Sequence, residues 1–223
     1  MFRKDLVIIG AGGFAREVQW LIEEINNEAL QWNLIGFIDD DKAKKGHIIN
    51  ELPILGGFEW FEDNPGNINV VFAVGNPMGR KKLVDKFLKH FKANFPNLVH
   101  PTVRLSRYVE MGMGNILCAS SLLTTNIKLG SFNILNLSCT IGHDVEIENF
   151  CTLSPAVNVS GNVTLCNGCE LGTNSCVIQG ITIGEWSVMG AGAVVIRDID
   201  PRCTAVGVPA KVIKHQIEEG ELK

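Results

Sequence analysis

An excess of charge of either sign is missing from this chain. Its 20 Lys+Arg face 24 Asp+Glu, a formal net of -4 over 223 residues. That balance offers no electrostatic footing for nucleic acid or an anionic membrane. Long apolar runs are missing too, since none reaches the roughly 18 residues of a membrane-spanning helix. After Met1–Asp5 the first apolar run is four residues long before a glycine, too short for a signal-peptide core. These absences predict a soluble, cytoplasmic protein. Histidine is scarce, with five in all: His47, His90, His100, His143 and His215. Cysteines number seven, an odd count, spread from Cys118 to Cys203. Cys166-Asn-Gly-Cys169 has the spacing of half a zinc site, but no second pair or histidine cluster follows. Buried, reduced thiols are the better reading, and no metal is expected.

Against these absences stands one regularity. Sixteen positions, each six residues after the last from Leu105 to Val195, are all apolar, in a chain that is 46% apolar overall. A period of six is neither the 3.6 of a helix nor the 2 of a strand, and a fixed internal period marks a solenoid. Two residues before most of these positions lies a small or β-branched residue, such as Ser121, Cys139, Cys151, Val163, Cys169 or Ser187. Glycine often follows them, as at Gly112, Gly130, Gly142, Gly172, Gly184 and Gly190. The pattern predicts a triangular prism. Six residues make one short strand and a corner, three such units make a turn of about 18 residues, and about five turns stack. Periodic side chains fill the axis, small residues sit near the corners, and glycine supplies backbone freedom there.

The first half reads differently. Leu6–Ile9 is a short apolar strand that runs into Gly10-Ala11-Gly12-Gly13 and a helix over Ala15–Ile25, with Val18, Leu21 and Ile22 facing inward. Leu34–Ile38 is a second strand ending at Asp39-Asp40-Asp41, and Val70–Val74 a third ending at Gly75-Asn76-Pro77. A helix over Gly79–His90 follows, with Leu83, Phe87 and Leu88 inward. Strands alternating with helices imply a parallel sheet. The glycine turn between strand and helix is a phosphate-cradling layout, with Ala15 where a third fingerprint glycine would stand. Asp39-Asp40 at a strand end suits a ribose hydroxyl or a uracil edge. Pro96 and Pro101 stiffen the junction to the repeat.

The closing segment Gly190-Ala191-Gly192-Ala193-Val194-Val195, then Gly207-Val208-Pro209-Ala210-Lys211, makes the repeat resemble the hexapeptide-repeat acyltransferases. With the glycine turn, Asp39-Asp40 and Gly142-His143-Asp144, nearly the whole chain resembles the bacterial nucleotide-sugar N-acetyltransferases. Sialic acid O-acetyltransferases share the layout. The resemblance implies an α/β, Rossmann-like nucleotide-sugar-binding domain over 1–100 and a left-handed parallel β-helix acyltransferase domain over 101–223. It also implies acetyl-CoA as donor, a 4-amino-4,6-dideoxysugar on UDP, dTDP or GDP as acceptor, a homotrimer, and a place in surface glycan biosynthesis. It puts Gly12, Gly13, Phe14, Asp39, Asp40 and Gly75 on the nucleotide sugar, and Thr173 and Ala191 beside the pantetheine arm. Thr152 stands where relatives often carry a second histidine against the acetyl group. Lys211 and Arg197 could meet CoA phosphates.

Acyl transfer to an amine needs a base for the amine proton and a donor for the tetrahedral oxyanion. His143 is the only imidazole within the repeat, and its position two residues after Ile141 aims it outward from a corner. Asp144 beside it could orient the ring and raise its basicity. His143 is therefore the expected base, matching the family's catalytic histidine, and Gly161 matches the glycine whose N–H serves the oxyanion. An O-acetyltransferase would use the same base on a hydroxyl. A zinc carbonic anhydrase on this prism would need three histidines, and a non-catalytic dinucleotide sensor would bind NAD(H) without turning over acetyl-CoA.

Overall fold

The computed structural model describes residues 3–66 and 68–215. The chain divides into two compact units, Met1–Pro101 and Thr102–Lys223.

In the first unit the order is β1 (Lys4–Ile9), α1 (Gly13–Glu28), β2 (Trp32–Ile38), β3 (Ile48–Ile49), β4 (Leu52–Gly56), α2 (Trp60–Asp63), β5 (Asn69–Phe72) and α3 (Pro77–Leu88). The sheet runs β3-β4-β2-β1-β5. All neighbours are parallel except the β3–β4 hairpin, which the sequence did not reveal. β1 lies inside, and Leu6, Val7 and Ile8 have no exposed surface, which is why it reads as an unbroken apolar run. The chain leaves β1 on one side and returns on the other at β5. The crevice at the carboxyl ends of β1 and β5 is therefore the switch point where open α/β sheets bind ligands.

Both long helices start earlier than expected. Gly12 caps α1, and Asn76 caps α3 by accepting from the Gly79 N–H with Pro77 at the first turn. The inward face of α3 also differs from expectation. Pro77, Arg80, Val84 and Phe87 are buried, whereas Leu83 is half-buried and Leu88 is 51% exposed. Starting the helix at Pro77 turns the i, i+3, i+7 stripe onto Arg80 and Val84. Buried Arg80 donates from Nη1 to the Val74 and Gly75 carbonyls, at 2.6 and 3.0 Å, and holds the loop that follows β5.

The second unit coils as a left-handed parallel β-helix with three faces. The first face stacks strands from Arg104–Leu105 to Val194–Val195, the second from Val109–Met111 to Thr182–Ile183, and the third from Ile116–Leu117 onward. From Leu122–Leu123 as far as Val194–Val195, each strand pairs with the one eighteen residues before it, as in Leu123↔Ile141↔Val159, and the Val188–Met189 rung then meets Thr204–Ala205 sixteen residues on. The periodic side chains from Leu117 to Val195 are at most 3% exposed. Leu105 departs from the expected filled axis, because its strand opens the first face with a neighbour on one side only, and it is 38% exposed. Met111 is half-buried. The last rungs are Cys203–Val206 and the antiparallel Lys211–His215.

The small residues near the corners have a polar task. Ser121 Oγ donates to the Asn136 carbonyl (2.9 Å), and Asn133 Nδ2 donates to that of Glu148 (2.8 Å). The thiols of Cys139, Cys151 and Cys169 donate to the Ser154, Cys166 and Gly184 carbonyls, at 3.3, 3.1 and 3.3 Å. Each satisfies a corner carbonyl fifteen residues on, where a larger apolar residue would leave it unpaired. Burial pushes the Cys139 thiol up to about 12, so it is an inert donor.

The corner glycines correct the sequence reading. Gly112, Gly130, Gly142, Gly172, Gly184 and Gly190 have no left-handed backbone. Most of them give room instead: a Cβ on Gly142 would stand 2.7 Å from the Gly161 nitrogen, and one on Gly172 2.5 Å from that of Ala191. The left-handed residue falls two places later, at Asn126, Asp144, Asn162 and Asn174 among others. Asn and Asp tolerate that conformation best among residues with a side chain.

Candidate active site

The corner between the first and second faces carries the pair that the sequence singles out. Ile141 buries its side chain in the axis, and the chain then turns through Gly142, His143 and Asp144 before the next strand at Glu146. Asp144 takes the left-handed position, at φ +58°. This swings its carboxylate back onto the ring of the preceding residue. His143 Nδ1 and Asp144 Oδ2 are 2.8 Å apart. An ionised carboxylate only accepts, so Nδ1 carries the proton, which in the neutral ring leaves the lone pair on Nε2. The hydrogen bond from His143, then that from Asn126, hold the Asp144 carboxyl below its ordinary range. Both side chains are about half exposed, at 51% and 46%.

Gly161 lies in the same corner one turn further on. A Cβ there would fall 2.5 Å from both Cε1 and Nε2 of His143, so the imidazole lies across this glycine. The Gly161 carbonyl accepts from Gly180, while its own N–H has no partner among the described residues. A ring nitrogen with a free lone pair thus adjoins an unpaired backbone donor. A base and an oxyanion donor require such a combination.

The other expected contacts lie elsewhere on the prism. Thr173 and Ala191 stack on the corner between the third and first faces, where the Gly192 N–H donates to the Thr173 carbonyl at 2.8 Å. Thr152 sits on the third face, opposite the His143 corner, paired with Ile134 and Glu170 and 7% exposed. Lys211 and Arg197 are exposed near the end of the coil. Within one chain, then, His143 and Asp144 meet Gly161 but not Thr152, Thr173 or Ala191.

In the first unit, Gly10 at φ +105° turns the chain after β1, and a Cβ there would be 3.0 Å from the Ala73 carbonyl oxygen. The glycine turn and the Gly75 loop therefore flank one crevice. Gly12 and Gly13 are exposed, Gly12 with open space where a Cβ would stand, and Phe14 is half-buried. The first turn of α1 has no side-chain cap and no acidic residue, leaving its N–H groups for an anion. Asp39 and Asp40 end β2, each with an internal cation. Lys44 Nζ meets Asp39 Oδ2 at 3.0 Å, and Lys86 Nζ meets Asp40 Oδ2 at 2.7 Å. The Asp39 bond raises the Lys44 ammonium above its ordinary value. Neither lysine was singled out in the sequence, nor was Arg80. Asn126 was missed as well, although it stands eighteen residues before Asp144 and so at the same corner.

Among the described residues no group of three or more His, Cys, Asp or Glu is placed to hold a metal ion, and no helix is long and apolar enough to cross a membrane.

An α/β unit with a switch-point crevice is followed by a β-helix with a corner His–Asp pair, the layout expected of the hexapeptide-repeat sugar N-acetyltransferases. Residues 5–87 match the PglD N-terminal domain family. No curated protein matches the chain. Solved structures do. The acetyltransferase domain of PglB from Neisseria gonorrhoeae, in complex with acetyl coenzyme A, is 28% identical (TM-score 0.86, covering 95% of this chain and 100% of its own). A histidine-to-asparagine mutant of perosamine N-acetyltransferase from Caulobacter crescentus, in complex with CoA and GDP-perosamine, is 27% identical (TM-score 0.84, covering 94% and 97%). WeeI from Acinetobacter baumannii is 28% identical (TM-score 0.84, covering 94% and 100%).

Proposed function

We propose that this protein transfers the acetyl group of acetyl-CoA to the amine of a nucleotide-linked 4-amino-4,6-dideoxysugar. The observation that carries the reading is the His143–Asp144 pair lying across Gly161, with Nε2 and the Gly161 N–H both without a partner among the described residues. The neutral amine attacks the thioester carbonyl. His143 Nε2 takes the amine proton as the C–N bond forms, and Asp144 stabilises the imidazolium. The Gly161 N–H donates to the oxyanion. When the tetrahedral species collapses, the C–S bond breaks and the imidazolium returns its proton to the departing thiolate. The reading gains support from the similar structures, two of which hold CoA or acetyl-CoA and one of those GDP-perosamine as well.

Nucleotide binding falls to the first unit. Gly12, Gly13 and the first turn of α1 take the diphosphate, Phe14 and Gly75 line the crevice, and Asp39 and Asp40 receive the nucleoside. Thr173, Ala191 and Lys211 hold the CoA arm, and Thr152 the acetyl end. Those groups lie away from the His143 corner, so a complete site needs more than one copy, and the working form is a homotrimer. The exposed apolar residues Tyr108, Leu122, Leu137, Ile178 and Ile196 lie on the first face or its two edges, between the two corner sets. A second copy would cover them. The setting is cytoplasmic, where acetyl-CoA and nucleotide sugars are made.

The test is turnover of UDP-, dTDP- and GDP-linked 4-amino-4,6-dideoxysugars with acetyl-CoA, with wild type and His143→Ala compared. A base-stable amide product and a loss of about 10²–10⁴-fold in kcat/KM are expected. A base-labile ester, or a variant that keeps most of its activity, would overturn the reading.

A further inference from the structure

Asp144 can orient the imidazole only if its own carboxylate is held, and on its own corner the group it meets is the ring it must orient. A terminal carboxylate torsion is broad and nearly two-fold, and this side chain is 46% exposed to water. The restraint comes from one turn earlier. Asn126 occupies the same corner eighteen residues back, also in the left-handed conformation, at φ +55°. Its Nδ2 donates to Asp144 Oδ1 at 3.1 Å, leaving Oδ2 for the His143 ring. The Asn126 amide is itself aimed, because Thr125 Oγ1 lies 3.4 Å from its Oδ1. The Thr125 carbonyl accepts from the Asp144 N–H at 3.1 Å, which locks the two corners in register.

We propose that Asn126 is the positioning residue of this site, and that the functional unit is a chain of four groups, Thr125, Asn126, Asp144 and His143, climbing one edge of the prism. Asn126 touches no reacting atom. Its amide holds the carboxylate turned toward Nδ1, and that Nδ1–H···Oδ2 bond selects the tautomer with the lone pair on Nε2. Lys128 and Glu146, on the adjoining strands, pair with each other at 3.8 Å. This inference rests on the acetyltransferase reading above and adds to it the residue that sets its base.

Glycine is the right replacement, since it accepts the left-handed conformation while deleting the amide. Asn126→Gly is expected to lower kcat about 10-fold and leave both KM values within about 2-fold, with an unchanged melting temperature. The decisive measurement is the double-mutant cycle with Asp144→Gly. In that background Asn126→Gly should cost less than about 2-fold, because the carboxylate it serves is gone. Equal losses in both backgrounds, or a single variant within about 2-fold of wild type, would overturn the proposal. Failure of the wild-type enzyme to acetylate any nucleotide aminosugar would instead defeat the reading on which it rests, so the two failures are told apart.

Discussion

Adding one methyl group at Gly161 isolates the ring's seat from the proposed oxyanion donor. In Gly161→Ala the new Cβ would stand 2.5 Å from Cε1 and Nε2 of His143. Non-bonded carbon and nitrogen atoms settle at about 3.5 Å or more, so the imidazole must shift by roughly 1 Å. The backbone at 161 is outside the left-handed region, so alanine brings no torsional strain, and it keeps the N–H. A displacement of this size in a positioned base costs on the order of 10²-fold in rate. The assay is continuous release of the CoA thiol with saturating nucleotide aminosugar. Expected are a fall of about 10²-fold in kcat and a melting temperature within about 2 °C of wild type. A variant that keeps a third or more of wild-type kcat would refute the idea that the ring needs a bare α-carbon beneath it. Gly142→Ala is the contrasting control. Its Cβ would strike backbone, 2.7 Å from the Gly161 nitrogen, so about 1–3 kcal/mol of stability should be lost.

Other outcomes follow from the same geometry. Arg80→Met removes the donor to the Val74 and Gly75 carbonyls, and should lower the urea-unfolding free energy by about 1–3 kcal/mol while raising KM for the nucleotide sugar more than for acetyl-CoA. The Cys139 thiol, raised from 9.0 to about 12, favours the folded state fully below pH 9 and loses that advantage as pH climbs toward 12, by roughly 1.4 kcal/mol per unit. Unfolding midpoints of wild type should therefore decline from pH 9 to 11 more steeply than those of Cys139→Ala. Asp144 has the opposite sign. Its lowered pKa keeps it ionised below the ordinary 3.8, so the stability from its pairing is complete above 3.8 and lost only as pH falls further, which a carboxyl carbon-13 titration should record.

The period of six carried the coil because every apolar member from Leu117 on fills one narrow axis, so each position faces the same constraint. The same count put His143 on a corner with its ring turned outward. What escaped was what a count does not contain. Arg80 reads as a surface charge until the helix start at Pro77 rotates it beneath the Val74–Gly75 loop. The β3–β4 hairpin turns at Asn50 and Glu51, both left-handed without glycine, so the usual turn signal was absent. Glycine was given a torsional role at Gly142 and Gly172, where close approach of the next turn demands it, while the left-handed residue comes two places later, at Asp144 and Asn174. Asn126 was within reach, since subtracting one turn from Asp144 finds it.

The eighteen-residue pairing has a consequence for how such a chain can vary. Residue number works as an angular address, and residues eighteen apart share one edge. Adding or removing six residues between His143 and Thr173 would leave every rung a partner, yet carry the two a third of a revolution out of phase. Eighteen would restore the phase and only lengthen the column. Length changes in this half of the molecule are thus quantised by function more coarsely than by folding.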